Sequence, residues 1–294
     1  MQNKVDVMHK KIMLWYRKYG RHYLPWRKTT DIYHVAIAEI MLQQTNVPKV
    51  IEKYTSFFKR FPTIKRLAQA SQKDVITQWQ GLGYNRRAIY VHKMAQTIVK
   101  DFQSIFPDEP EILIEFSGIG TYTSRSILIF ARNRDVAACD VNIARIMRRL
   151  HKKKSAPEKQ VVKWTEKFLY RGHARDWHNA LMDFASIICT KRAPQCLQCP
   201  LMDMCLSFPN PQDEKKVARK EVGRSECDKH VPRRIFRGRI VEFLRQRNGT
   251  INDIGQVIKK DWHEANDHEW CKNVLDGLKK DQMVLCKNDV WMLK

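Results

Sequence analysis

The chain has 294 residues, 43% of them hydrophobic, and a formal net charge of +23 with a sequence pI near 9.8. That length allows two domains and a small third, each with a real core. No apolar run approaches a bilayer span, and the start, MQNKVDVMHKK, is not a charged segment leading into an apolar one, so neither a membrane protein nor a secretory leader is expected. Residues 226–294 hold 14 Lys/Arg and 11 Asp/Glu and carry only +3, which leaves +20 in residues 1–225. A field of that sign favours a polyanion, with DNA or RNA ahead of an anionic membrane surface.

Residues 1–20 predict an amphipathic helix with Val5, Met8, Ile12, Trp15 and Tyr19 on one face. Leu24-Pro25-Trp26-Arg27 breaks it. Residues 31–45, DIYHVAIAEIMLQQT, predict a strongly apolar helix in which Ile32, Val35, Glu39 and Leu42 share a face. A carboxyl on such a face has two explanations. Burial raises its pKa and makes it a general acid near neutral pH, or it forms a buried ion pair with an arginine.

Short helical segments follow over 50–58, 64–70 and 73–80. Gly81-Leu82-Gly83-Tyr84 is a glycine turn, and a helix over 85–100 comes next. Leu82 and Tyr84, beside Arg86 and Arg87, have the look of an apolar wedge of the kind that distorts a duplex; packing of Tyr84 against its own loop is the plainer alternative.

A second glycine turn, Gly118-Ile119-Gly120, precedes a segment that opens at Thr121 and is apolar over 126–131. A helix starting there aims its free N–H groups beyond the turn, an arrangement that binds phosphate. Asp140 stands just ahead of a periodic segment carrying Ile143, Ile146, Met147 and Leu150. Aspartate in that place is an N-cap, a catalytic group, or both. Two more helices are expected over 158–170 and 177–188, and no strand pattern occurs in 1–205.

Eight cysteines are present, and Cys189, Cys196, Cys199 and Cys205 fall within 17 residues as C-x6-C-x2-C-x5-C. Four thiolates so close need a cation, and zinc and an iron–sulfur cluster are the two candidates. The single C-x2-C knuckle favours the cluster over a zinc ribbon, and the clustering suits a reducing cytoplasm. Lys191 and Arg192 in the intervening loop are placed to touch phosphates. Residues 208–230 are rich in proline and charge and predict a linker. Residues 231–294 predict three helices and a β-hairpin flanking Lys287-Asn288-Asp289, a winged-helix-like α+β module.

Residues 20–205 resemble the helix-hairpin-helix DNA glycosylases that carry an iron–sulfur cluster, the group of endonuclease III and MutY. The points of match are LPWR at Leu24–Arg27, AEIMLQQT at Ala38–Thr45, RFPT at Arg60–Thr63, GLGYNRRA at Gly81–Ala88, SGIGTYT at Ser117–Thr123 and the cysteine quartet. The resemblance implies an all-α fold: a six-helix barrel with the helix-hairpin-helix over 23–135, and a [4Fe-4S] cluster domain from 1–22 and 136–207. It implies double-stranded DNA with a mismatched base as partner, a monomer, and a cytoplasmic, nucleoid-associated location.

Within the group the chain is similar to MutY-type adenine glycosylases, which release adenine opposite guanine or 8-oxoguanine. By this resemblance Glu39 and Asp140 are catalytic, Tyr122 and Asn142 orient Asp140, and Cys189, Cys196, Cys199 and Cys205 hold the cluster. DNA contacts are implied for Gln43, Gln44, Thr45, Leu82, Gly83, Tyr84, Arg86, Gly118, Ile119, Gly120, Thr121, Lys191 and Arg192. Tyr122 stands where endonuclease III has its Schiff-base lysine, so weak or no lyase activity is expected. Two departures open a rival. Asn85 replaces a second tyrosine, and 231–294 do not look like a Nudix-like domain. Thymine/uracil mismatch glycosylases share the Tyr–Asp pair, and the run Leu181–Cys189 suits them as well. A DNA-binding protein without catalysis is the remaining alternative.

Overall fold

The computed structural model describes residues 2–211 and 221–294; residues 212–220 of the expected linker lie outside the described residues. The helices in chain order are α1 Gln2–Tyr19, α2 Ile32–Leu42, α3 Val47–Arg60, α4 Ile64–Gln69, α5 Gln72–Gln78, α6 Arg86–Asp101, α7 Pro110–Leu113, α8 Thr121–Arg132, α9 Val141–Leu150, α10 Glu158–Lys167 and α11 Ala174–Ile187. Then come strands β1 Gly223–Glu226 and β2 Lys229–Pro232, helices α12 Arg233–Gln246, α13 Ile251–Ile258 and α14 Glu264–Lys280, and strands β3 Val284–Lys287 and β4 Val290–Leu293. Among the described residues the only strands are these two antiparallel pairs, β1–β2 and β3–β4. No described helix is long and apolar enough to cross a membrane.

The helix boundaries follow from local chemistry. Asn46, Thr63 and Ser71 cap α3, α4 and α5 by accepting the N–H of the third residue on. Thr250 and Asp253 form a capping box at the start of α13. α2 is buried on nearly every side and ends at Leu42, so Gln43 to Thr45 leave the helix that the sequence predicted through 45, and Gln44 takes a φ of +56°. On α1 the buried tyrosine is Tyr16 rather than Tyr19.

Packing divides the chain into two compact units, 1–39 with 107–217 and 40–106 with 218–294. In the first, Ile129 of α8 joins the core that α1, α9 and α11 build. In that first unit Met8, Ile12, Ile143, Met147, Trp177 and Leu181 are fully buried or nearly so. Asp183, with no exposed side-chain surface, accepts Arg27 Nη1 at 2.7 Å and Nη2 at 2.9 Å, together with Arg21 Nε at 2.6 Å and Arg21 N at 2.7 Å. The proline turn Pro25–Arg27 therefore aims Arg27 at α11 and buries Trp26.

In the second unit Phe57, Phe61 and Trp79 form an aromatic core. The expected linker contains a hairpin, β1–β2, with Glu226 paired to Lys229 in register. Cys227 and Asp228 make its turn at φ of +48° and +64°, a pair that carries no recognisable turn signal. The three helices and hairpin expected over 231–294 are present.

Candidate functional site

The first unit gathers Glu39, Tyr122, Ser126, Asp140 and Asn142. Glu39 lies near the end of α2, and Tyr122 and Ser126 lie one turn apart on α8, so their side chains share a face. Ser126 Oγ donates to Glu39 Oε2 at 2.6 Å. Burial pushes the Glu39 carboxyl up to about 7; the Ser126 hydroxyl holds it down in part, Asp140 adds to the rise, and Arg27 opposes it. Arg27 is committed to Asp183, so Glu39 has a hydroxyl for a partner and not the guanidinium of a buried ion pair. The Tyr122 phenol is pushed well above its ordinary value by burial first, then by the charges of Glu39 and Asp140. The two carboxyls and the phenol thus sit within reach of one another's fields.

Asp140 is the N-cap of α9. Its Oδ1 accepts Asn142 N at 2.9 Å and Ile143 N at 2.8 Å, and its Oδ2 accepts Asn142 Nδ2 at 2.6 Å. The cap fixes the orientation of a carboxylate that remains partly exposed. Arg145 Nη1 donates to Asn142 Oδ1 at 3.0 Å and so fixes the amide that holds Asp140.

The turn ahead of α8 has the expected form. Gly118 takes φ +86°, a conformation that requires glycine, while buried Ile119 pins the turn to the core. Gly120 is exposed, caps α8 with no side-chain acceptor, and has open space where a Cβ would be. The first N–H groups of α8 therefore have no capping side chain. A basic cavity of about 1180 Å³ borders Asn142 and is lined by Arg145, Arg148, Arg149, Lys152 and Lys191.

The four clustered thiols influence one another. Cys189, Cys196 and Cys205 each add to the rise of the Cys199 thiol, which burial carries up to about 12. Arg149, almost wholly buried, donates from Nη1 to Cys189 Sγ at 3.3 Å, and Leu201 N donates to Cys199 Sγ at 3.4 Å. N–H donors aimed at sulfur stabilise thiolates, so the donor set has the chemistry of a thiolate-held group. Among the described residues no three His, Cys, Asp or Glu side chains are gathered tightly enough to hold one metal ion.

Arg192 is exposed in the first unit, and Gln43, Gln44, Thr45, Leu82, Gly83, Tyr84 and Arg86 lie in the second. Gln44 and Tyr84 are exposed and both have positive φ, +56° and +45°. Leu82 is a correction: it is only 3% exposed, because Gly81 and Gly83 at φ +85° and +71° fold the turn so that the leucine enters the core. Thr45 is also inward-looking, with Oγ1 donating to Leu82 O at 2.9 Å.

Sequence reasoning missed Arg87. Its Nη1 donates to the carbonyls of Ile40 (2.8 Å), Met41 (2.9 Å) and Gln43 (2.6 Å), and its Nη2 to Thr45 Oγ1 (2.8 Å), Leu82 O (3.0 Å) and Gly83 O (3.0 Å). One buried guanidinium thus fastens the 43–45 turn to the 81–84 turn. Ser126 and Arg149 were missed too; only Ser126 left a signal, a polar residue at the start of an apolar run.

The description "HhH-GPD superfamily base excision DNA repair protein" matches residues 37–169. An adenine DNA glycosylase of Buchnera aphidicola subsp. Baizongia pistaciae is 36% identical over 207 residues, 69% of this chain and 59% of that protein. A thymine-DNA glycosylase of Aeropyrum pernix is 30% identical over 217 residues, 71% of this chain and 97% of that protein. The solved structure of a thermostable thymine-DNA glycosylase superposes with a TM-score of 0.66 at 25% identity, covering 70% of this chain and 97% of its own. The chain therefore spans about three-fifths of the length of the adenine glycosylase and nearly all of the thymine glycosylase.

Proposed function

Because this chain belongs to the HhH-GPD superfamily of base excision DNA repair proteins, we propose that it is a monofunctional mismatch DNA glycosylase that releases adenine mispaired with guanine or 8-oxoguanine. The observation that carries the reading is the charge-coupled group of Glu39, Tyr122 and Asp140. The greater similarity to the adenine glycosylase supports adenine as the base released.

A base must leave the stack before its glycosidic bond is reached, and a mispair lowers that cost of a few kcal/mol. Glu39, with a pKa raised to about 7, still carries its proton in a large share of molecules at neutral pH and delivers it to N7 of the departing adenine. As the bond lengthens the sugar gains oxocarbenium character, which the fixed carboxylate of Asp140 stabilises, as paired carboxylates do in glycoside hydrolysis. Glu39, once deprotonated, draws the proton from the attacking water. Tyr122 has no amine for a Schiff base, so strand cleavage is weak or absent. The amides around Gly118, Ile119, Gly120 and Thr121 hold a phosphate beside the extruded nucleotide, and Lys191 and Arg192 hold others. Gln43, Gln44, Gly83, Tyr84 and Arg86 contact the strand around the facing base.

At the level of domains we propose a six-helix barrel over 23–135 and a cluster domain from 1–22 and 136–207. Cys189, Cys196, Cys199 and Cys205 would hold a [4Fe-4S] cluster there, whose chemistry is structural cross-linking or electron exchange. The protein acts as a monomer in the cytoplasm on nucleoid DNA.

The rival reading, release of thymine or uracil opposite guanine, is favoured by one observation: the match runs through 97% of the thymine glycosylase but 59% of the adenine glycosylase. Single-turnover assays on A·G, A·8-oxoguanine, T·G and U·G duplexes, followed by alkali to open abasic sites, separate the two. The proposal expects abasic sites in the adenine-containing strands; release confined to T·G and U·G would replace it with the rival. No release from any of the four would leave DNA binding without catalysis.

A further inference from the structure

Asp140 is reached from α8 through residues 133–140, and this segment is tied down along its length within the first unit. Asn133 Nδ2 donates to Gly172 O at 2.7 Å, and Asn133 Oδ1 accepts Arg175 N at 2.8 Å. Asp135 Oδ1 accepts Gly172 N at 2.8 Å. From α8, Arg125 Nη1 donates to Ala137 O at 3.0 Å. The tie nearest Asp140 comes from α11, where His178 Nε2 accepts Ala138 N at 3.1 Å.

His178 is 1% exposed, and the reaction as described above makes no use of it. Its other ring nitrogen, Nδ1, lies 2.7 Å from Ala174 O, one turn back on α11. These two partners leave the ring a single tautomer. A carbonyl only accepts, so Nδ1 carries the hydrogen; an amide N–H only donates, so Nε2 offers its lone pair. Burial pushes the imidazole down to about 4, with the Ala174 carbonyl opposing in part, so the lone pair is kept across the neutral range. Ala138 is as buried as His178, and a backbone N–H so placed needs an acceptor.

The imidazole is rigid and has one contact on each side. It therefore transmits the position of α11 to the backbone two residues before Asp140. The bonds from Asn142 N and Ile143 N fix how the Asp140 carboxylate is turned. His178 and Arg125 fix where the preceding backbone stands relative to α8, the helix of Tyr122 and Ser126.

We propose that His178 is a positioning residue for base release: as the Nδ1–H tautomer it holds Ala138 so that Asp140 meets the sugar of the extruded nucleotide at reacting distance. This rests on the glycosylase reading above. Buried as it is, His178 acts through Asp140 and does not touch DNA.

Two measurements on the full chain test this. Nitrogen NMR of protein labelled at histidine, with the His178 signals identified by their loss in His178→Gln, should show a ring that carries hydrogen on Nδ1 and is still neutral at about pH 5. Hydrogen on Nε2, or titration near the ordinary 6.5, overturns the proposal. Single-turnover base release and duplex affinity are then compared among variants. His178→Phe keeps a ring and loses the acceptor. Its release should slow by about tenfold or more with affinity near wild type, because a small misplacement of a reacting group costs up to about 10²-fold. His178→Gln puts an amide oxygen near the place of Nε2 and should recover most of the rate; His178→Asn, one methylene shorter, should not. Val161→Ala, a truncation in the core that α11 helps to build, should lower the melting temperature and leave the rate near wild type. A Phe variant at wild-type rate, Gln and Asn variants at equal rates, or Val161→Ala slowed as much as Phe would each make His178 a packing residue and overturn the proposal. If the Phe variant does not fold, the Gln and Asn pair decides. No release by wild type from any mispair ends the glycosylase reading and this proposal together; release by wild type with an unaffected Phe variant ends this proposal alone.

Discussion

Glu39 takes the Ser126 hydroxyl as its hydrogen-bond partner, and that contact helps to control when it carries a proton. Burial raises its pKa to about 7 from an ordinary 4.5, while the Ser126 hydroxyl restrains the rise. Base release should therefore lose rate as pH climbs through about 7, where the acid is spent. Ser126→Ala removes a bond to the charged form, so the limb should move to higher pH; a shift to lower pH in the single-turnover profile would contradict the account. The same raised pKa bears on stability. The folded state holds the proton more tightly than the unfolded chain does. The corresponding stability is complete below 4.5 and is lost as pH rises through about 7. Glu39→Gln removes this loss, on the order of 3 kcal/mol at most. Its melting temperature should thus exceed that of wild type at pH 8 and the gap should narrow at acid pH, with base release strongly slowed.

Arg87 joins two turns through six bonds at the scale of elements. Arg87→Met would leave several buried carbonyls without donors, a loss of at least about 3 kcal/mol by denaturant unfolding. Arg87→Lys would recover only part of it, because an ammonium cannot span the same acceptors. Asp183→Asn likewise leaves Arg21 and Arg27 short of a counter-charge in the core, with an expected cost of about 3–5 kcal/mol. Calorimetry that found either variant as stable as wild type would contradict these assignments. Elements of this kind mark how far the sequence is legible. Helix positions, the Gly118 turn, the Asp140 cap and the Glu39 anomaly can be read from periodicity, glycine and a misplaced carboxyl. The Arg87 clamp, the Ser126–Glu39 bond and the Arg27–Asp183 pair cannot, since the last two join residues 87 and 156 positions apart and the first satisfies carbonyls that leave no sequence trace. Leu82 misled for a related reason: a leucine between two glycines looks exposed until the glycines' positive φ turns it inward. β1–β2 was hidden because charge and proline suggest a linker even where a short ladder forms.

For the whole molecule, the +20 carried by residues 1–225 and the basic cavity beside Asn142 predict duplex affinity that falls steeply with salt. A weak salt dependence in titrations would argue against phosphate contacts as the main source of affinity. The cysteine quartet adds a compositional prediction: purified protein should contain iron and acid-labile sulfide, and Cys196→Ser should lower both. The catalytic reading depends on Glu39 and Asp140 being one reaction centre. The direct test is single-turnover release of adenine from A·G and A·8-oxoguanine duplexes by wild type and Asp140→Asn, with duplex affinity measured alongside. Asparagine is an equally good N-cap, so α9 should survive. The account predicts adenine release slowed by about 10²–10³-fold or more with affinity near wild type; release by the Asn variant at close to the wild-type rate would contradict it.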